Sequence, residues 1–208
     1  MKGRGFLRII GIFEDIEGEG MNRGLATVFL RLAQCNLRCA YCDTKYAYKK
    51  GREITVKKAA EIINKSGRKY VNITGGEPLL QKKSVVELVK RIKGKFTAIE
   101  TNGTVSLAGV RPDMISMDLK LPSSGEAGKT LISNLKLLRK KDQLKLVIGS
   151  KKDMDYAARE LGKNKTPAAV VAQPVYGKFP LKKIRNYIMK NNLEWRVGIQ
   201  LHKLICNN

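Results

Sequence analysis

Three of the four cysteines, Cys35, Cys39 and Cys42, follow one another at spacings of four and three residues. A close group of cysteines in a protein of the reducing cytoplasm binds metal more often than it forms disulfides. Three thiolates could hold zinc, with the chain's one histidine, His202, or the remote Cys206 as the fourth ligand. Zinc sites usually carry paired Cys-x-x-Cys arms, however, whereas one loop with three cysteines could ligate three irons of a 4Fe-4S cluster and leave the fourth iron open. The sequence therefore favours a cluster with one reactive corner and leaves zinc as the alternative.

The elements around this loop read as an α/β fold, because apolar β-type segments alternate with amphipathic helical segments along the chain. Thr55 is a candidate N-cap for a first helix that ends before Gly67. We predict further helices over residues 84–93, 130–140, 154–161 and 181–189. We predict strands over residues 7–12, 27–32, 70–73, 96–100, 114–119, 144–148, 168–172 and 195–201.

Strands that alternate with helices predict a mainly parallel sheet, since each parallel pair needs a long crossover. A complete eightfold barrel takes about 250 residues, so this chain is expected to form an incomplete, TIM-like barrel as a single domain over residues 1–208. Polar and glycine-rich clusters follow the predicted strands at residues 74–77, 101–103, 118–120 and 173–174. We expect the functional site at these carboxyl ends of the strands.

Composition and charge narrow the function further. The chain has 41 Lys and Arg against 18 Asp and Glu, a formal charge of +23, and 43% hydrophobic residues, enough for a buried core. The lysines are scattered over predicted helix faces, so the charge favours a solvated surface rather than direct nucleic-acid binding. Apolar runs are too short for a membrane span, and the acidic segment after Phe13 does not fit a secretory signal. We expect a cytoplasmic protein.

Two motifs together carry a family resemblance. The string Cys-x-x-x-Cys-x-Tyr-Cys at 35–42 and the Gly-Gly-Glu-Pro at 75–78 resemble the radical S-adenosylmethionine (SAM) superfamily. Within it, the segments 17–20, 42–44, 74–81, 100–103 and 201–203, together with Arg31, resemble the 7-carboxy-7-deazaguanine synthases. The resemblance implies a radical SAM core and a lyase that converts 6-carboxy-5,6,7,8-tetrahydropterin to 7-carboxy-7-deazaguanine with loss of ammonia. It implies a 5′-deoxyadenosyl radical, catalytic use of SAM, and a place on the route to queuosine or archaeosine.

The resemblance also implies roles for individual residues. The cysteines would hold the 4Fe-4S cluster, and Thr44 would help to place Mg²⁺. SAM would contact Tyr41, Gly76, Glu77, Asp118, Leu119, Lys120, Gln173, Pro174, Val175 and Tyr176. The pterin would contact Ile16, Glu17, Gly18, Glu19, Arg31 as a carboxylate clamp, Thr74 and the terminal carboxylate of Asn208. An electron donor such as a flavodoxin or ferredoxin and a homodimer are implied in the same way.

The sequence departs from the family pattern at three places. Glu17 stands where the family usually has Gln, Asn208 stands where it usually has a terminal Pro, and only Lys120 matches directly in the segment 118–120. Two alternatives stay open on the residues alone. One is a glycyl-radical enzyme activase, which also uses three such cysteines, and the other is a zinc-held RNA-binding module.

Overall fold

The computed structural model describes residues 5–205 of the chain, and in this part nine strands form one sheet. The strand order is β3-β1-β2-β4-β5-β6-β7-β8-β9, and all neighbours from β2 to β9 are parallel. Only β1 runs antiparallel to its neighbours β2 and β3. The strands are β1 Phe6–Ile16, β2 Ala26–Leu32, β3 Arg52–Thr55, β4 Tyr70–Gly75, β5 Phe96–Thr101, β6 Met114–Asp118, β7 Gln143–Ile148, β8 Ala169–Pro174 and β9 Arg196–Val197.

The helices are α1 Val56–Lys65, α2 Lys82–Arg91, α3 Lys151–Lys163, α4 Leu181–Lys190 and the short α5 His202–Ile205. Helix α1 begins where the sequence predicts, because the Thr55 side chain accepts a hydrogen bond from the Lys58 N–H at 3.1 Å. The main apolar core joins the helices to the sheet and includes Ile63, Leu88, Met154 and Ile184 from the helices. None of the helices in residues 5–205 is both long and apolar enough to cross a membrane.

The predicted fold class is confirmed. In the described residues the sheet is open, with β3 and β9 at its edges, and all but one of its strands point the same way. This is the incomplete, mainly parallel α/β barrel that the alternation of elements predicts. The carboxyl ends of the parallel strands consequently meet on one side of the sheet, where the site was expected.

One predicted helix is wrong, one predicted strand is too long, and one strand was missed. The helix predicted over 130–140 is only a short 3-10 helix, Ile132–Lys136, because the buried Asn134 is used to bind loops. Its side chain accepts from the Leu107 N–H at 3.0 Å and donates to the carbonyls of Gly103 and Val105 at 3.0 and 2.9 Å. The strand predicted over 195–201 stops at Val197, after which the chain turns toward the site. Strand β3 was not predicted.

Candidate active site

A cavity of about 450 Å³ opens at the carboxyl ends of the parallel strands, within the size range of small-molecule sites. Its walls come from the cysteine loop, the loop after β1 and the strand ends. The predicted site residues that line it are Ile16, Glu17, Gly18, Glu19, Arg31, Cys35, Cys39, Tyr41, Cys42, Thr44, Thr74, Gly76, Asp118, Lys120 and Gln173. Glu77, Leu119, Pro174, Val175 and Tyr176 are not in its lining, and Asn208 lies outside the described residues.

The cysteine loop presents three free, partly buried thiols to this cavity. Burial raises the pKa of Cys35 and Cys39, so their thiolates need a cationic partner. The Leu37 N–H points at Cys35 Sγ at 3.4 Å, and hydrogen bonds of this kind are typical around iron–sulfur sulfurs. In residues 5–205 no three His, Cys, Asp or Glu side chains gather closely enough for one metal ion. Three free thiols on one wall, one with an N–H donor, fit a cluster of several irons.

The glycine-rich loop after β4 packs directly on the cysteine loop. A Cβ atom on Gly76 would overlap the carbonyl group of Gln34, so only glycine allows this approach. The Glu77 N–H donates to that same carbonyl oxygen at 2.8 Å. Gly76 therefore has a packing role between the two loops, and its contact with SAM stays a prediction.

The Glu77 side chain is fully buried beneath the cavity and ties two strand ends together. It accepts hydrogen bonds from the N–H groups of Leu79 and Asn102 at 2.8 and 2.6 Å and from Thr101 Oγ1 at 2.8 Å. Burial raises the Glu77 pKa. Its position explains how the loop after β4 is fixed against the end of β5.

Arg31 lies on β2 with its guanidinium carbon 5.6 Å from the ring centre of Phe13 and 5.7 Å from that of Tyr46. Its Nε atom is buried and has no hydrogen-bond partner in the described part of the chain. A buried guanidinium donor of this kind calls for an anion. The geometry suits the carboxylate clamp that the resemblance implies.

Glu19 is the acceptor at the centre of a buried polar network. Its Oε2 accepts from Lys145 Nζ at 2.7 Å and from Gln173 Nε2 at 2.8 Å, and its Oε1 accepts from Gln200 Nε2 at 2.7 Å. Burial alone would raise the Glu19 pKa, but the Lys145 charge and these hydrogen bonds outweigh it and lower the pKa. Glu19 is therefore an ionised carboxylate.

Glu17 behaves in the opposite way. It is 7% exposed and accepts from Asn72 Nδ2 at 2.6 Å, but no cation lies within 4.0 Å of it among the described residues. Burial and the nearby Glu100 carboxylate raise its pKa to about 7. The Glu17 carboxyl is therefore half protonated near neutral pH.

The chain after β9 returns to the cavity and closes it. The Leu201 N–H donates to the Gly18 carbonyl at 2.8 Å, and a Cβ on Gly18 would overlap the His202 ring. Asp43, next to the cysteine loop, lies 3.7 Å from His202 Nε2 and 3.5 Å from Lys203 Nζ. The hydrogen bond from His202 and the charge of Lys203 lower the Asp43 pKa to about 2.

Sequence reasoning missed several residues of the cavity lining, among them Lys145 and Gln200, which both donate to Glu19. Lys145 could have been recognised from the sequence, because it lies in the apolar strand β7 between Leu144 and Leu146, which are fully buried. Lysine is almost never buried without a partner. Such a residue inside a strand indicates an anionic group nearby.

Comparisons with known proteins agree with this site. The sequence model of the radical SAM superfamily matches residues 31–143. A 7-carboxy-7-deazaguanine synthase from Methanospirillum hungatei is 41% identical over 204 residues, which cover 96% of this chain and 85% of the relative. The chain belongs to the 7-carboxy-7-deazaguanine synthase family of the radical SAM superfamily. The family name implies a 4Fe-4S cluster and SAM, and it supports the cluster rather than zinc at the three thiols.

A second sequence relative and one solved structure are similar to the chain over nearly its full length. A 7-carboxy-7-deazaguanine synthase from Thermoplasma acidophilum is 38% identical over 206 residues, which cover 95% of this chain and 96% of the relative. The crystal structure of QueE from Escherichia coli has a TM-score of 0.78 over 95% of each chain at 22% identity. The structural likeness supports the fold of the family core, while the sequence relatives support the family itself.

Proposed function

We propose that this chain converts 6-carboxy-5,6,7,8-tetrahydropterin to 7-carboxy-7-deazaguanine with loss of ammonia. The observation that carries the proposal is one cavity that joins three free thiols, an ionised glutamate and the Arg31 guanidinium, whose buried Nε has no hydrogen-bond partner in residues 5–205. When bound, the 4Fe-4S cluster and SAM supply one-electron chemistry through a 5′-deoxyadenosyl radical, with SAM used catalytically. The names of the sequence relatives support the same reaction.

The chain's own residues would bind and orient the pterin. The Arg31 guanidinium, held between the rings of Phe13 and Tyr46, would pair with the pterin carboxylate. Glu19 would accept a hydrogen bond from an N–H group of the pyrimidine ring. Because the reactive species is a radical, positioning and exclusion of water are the protein's main contributions.

SAM would bind beside the cysteine loop. The Lys120 ammonium and Asp118 carboxylate form a 2.6 Å ion pair in the cavity wall. The Gln173 Oε1 atom is buried without a donor in the described residues, so it is available to a ligand N–H or O–H. Tyr41 and Gly76 complete this wall, while contacts with Glu77, Leu119, Pro174, Val175 and Tyr176 are proposed from the family resemblance alone.

Further parts of the proposal concern Mg²⁺ and partners. Thr44 lines the cavity 3.6 Å from Cys42 Sγ, and its hydroxyl is a suitable oxygen ligand for Mg²⁺ near the substrate carboxylate. The Asn208 carboxylate is proposed to reach the pterin.

We also propose a homodimer, a flavodoxin or ferredoxin as electron donor, a cytoplasmic location, and a product used for queuosine or archaeosine. The charge of +23 would attract a negatively charged donor protein.

Anaerobic turnover tests the reaction. The reconstituted protein is incubated with the tetrahydropterin, SAM, a reductant and Mg²⁺, and the deazapurine and ammonia are measured. We expect both products, and we expect Cys39→Ala to lose the cluster and all SAM cleavage. An intact cluster that cleaves SAM but leaves the pterin unchanged would contradict the proposal and favour the activase.

Arg31→Ala tests the clamp. The variant should keep its iron content but bind the pterin at least about tenfold more weakly, because a charge-assisted hydrogen bond of roughly 1.5–3 kcal/mol is lost. Arg8→Ala is the matched control, since Arg8 lies on the neighbouring β1, half exposed and paired with Glu53 at 3.4 Å. Equal pterin affinity in both variants would show that Arg31 does not bind the pterin carboxylate.

A further inference from the structure

Lys145 is a buried cation that the reaction scheme above does not use. Its side chain is 9% exposed, and its Nζ lies 2.7 Å from Glu19 Oε2, 3.7 Å from Asp118 Oδ1 and 3.8 Å from Glu100 Oε1. These distances place one ammonium among three carboxylates from the loop after β1 and from strands β5 and β6.

The other ionisable groups around Lys145 already have hydrogen-bond or ion-pair partners, or are only partly ionised. Lys120 is 2.6 Å from Asp118, Glu100 accepts from Thr74 Oγ1 at 2.8 Å, and Glu17 has no cation within 4.0 Å in the described part of the chain. Within residues 5–205, Lys145 is the only cation within 4.0 Å of Glu19. The ionised state of Glu19 therefore depends on Lys145.

The geometry of Glu19 leaves room for a ligand. Its side chain is 15% exposed and faces the cavity. A carboxylate offers about four acceptor positions, and Lys145, Gln173 and Gln200 fill three of them. The remaining position can accept one hydrogen bond from a bound molecule only while Glu19 is ionised and held in place.

We propose that Lys145 is a positioning residue that keeps Glu19 as an ionised acceptor facing the pterin. This inference rests on the proposed function for the identity of the ligand. Without the ammonium, burial would raise the Glu19 pKa. A protonated Glu19 has lost acceptor capacity, so pterin affinity would fall as the pH falls through the raised pKa.

The test compares Lys145→Met, Lys145→Gln and Lys145→Arg with the unmodified protein, each reconstituted with its cluster. Pterin affinity is measured with SAM bound between about pH 6 and pH 9. In the unmodified protein and Lys145→Arg, Glu19 should not alter the affinity over this range. In Lys145→Met the affinity should fall at least about tenfold from the alkaline to the acid end, the loss expected for a charge-assisted hydrogen bond.

Lys145→Gln keeps a neutral donor to Glu19 and separates charge from hydrogen bonding if Lys145→Met does not fold. It should show the same acid loss, and Lys145→Gln combined with Glu19→Gln should lose that pH dependence. Because Glu17 also titrates near neutral pH, the double variant is the reference: an affinity profile in Lys145→Gln with the same shape as in the double variant would overturn the inference.

An infrared readout separates this inference from the proposed function. Difference spectra between acid and alkaline pH should show one more protonated-carboxyl band in Lys145→Gln than in the double variant, whether or not the pterin is the true substrate. Glu17 contributes equally to both spectra and cancels. Identical bands in the two variants would refute the role of Lys145. If the extra band is present but no variant binds the pterin, the role of Lys145 is retained and the proposed substrate is refuted.

Discussion

Glu17 and Glu19 are two residues apart in the loop after β1, and their carboxyl groups are shifted in opposite directions. Glu19 has Lys145 at 2.7 Å and a lowered pKa, whereas Glu17 accepts only from the Asn72 amide and the Glu19 N–H among the described residues and has a pKa of about 7. Burial acts on both groups, so the difference comes from the partner. The cavity therefore presents one fixed charge and one group that titrates near neutral pH.

The Glu17 shift predicts how stability depends on pH. Folding raises the pKa from its ordinary value of 4.5 to about 7, so the folded state binds the proton more tightly than the unfolded state. The stabilising effect of that proton is present below about pH 4.5 and is lost as the pH rises to about 7. Glu17→Gln removes this titration. As the pH rises between these limits, the free energy of unfolding of the variant should therefore rise relative to that of the unmodified protein, by at most about 3 kcal/mol.

Denaturant unfolding of both proteins near pH 5 and pH 8 measures this difference. Asp15→Asn is the matched control, because Asp15 lies two residues before Glu17 but is exposed at the end of β1. A difference between Glu17→Gln and the unmodified protein that does not change with pH would show that Glu17 is already ionised in the folded state.

Residues in short contiguous motifs could be predicted from the sequence, and residues assembled by the fold could not. Cys35, Cys39 and Cys42 lie in one string, and the structure brings all three to the cavity. Lys145 and Gln200 are 126 and 181 residues away from Glu19 along the chain. No local pattern encodes such contacts, because they depend on which strands become neighbours.

At the scale of elements, the site depends on loops that lock onto one another. The loop after β4 contacts the cysteine loop through Gly76 and the end of β5 through Glu77. Periodicity predicted the strands that carry these loops, because apolar segments of this kind are buried in parallel sheets. It failed over 130–140, where the apolar spacing is helical but the buried Asn134 binds the neighbouring loop.

Gly76→Ala tests the contact between the two loops. The added methyl group would overlap the Gln34 carbonyl, so the cysteine loop must shift. We expect a clear loss of iron after reconstitution and a destabilisation of about 1–3 kcal/mol, the range for overpacking. Gly67→Ala is the control, since a Cβ there meets nothing within 4 Å. Normal iron content in Gly76→Ala would show that the two loops are independent.

At the scale of the whole molecule, the last described segment links the β9 edge of the sheet to the loop between β1 and β2. After β9 at one edge, residues 198–205 cross to the loop after β1, where Gln200 contacts Glu19 and Leu201 contacts Gly18. None of residues 199–205 is part of the buried core. The segment therefore contributes to the cavity wall far more than to the folding of the chain.

This separation predicts the effect of ending the chain at Gly198. The shortened protein should keep its melting temperature within a few degrees and keep its iron, because the core and the cysteine loop stay intact. Pterin affinity should fall at least about tenfold, since Glu19 loses the Gln200 donor and the cavity opens to water. Ending the chain at Ile205 instead removes residues 206–208 and isolates the proposed terminal contact. If the Gly198 form binds the pterin normally, the cavity does not need this wall; if it fails to fold, the segment is structural after all.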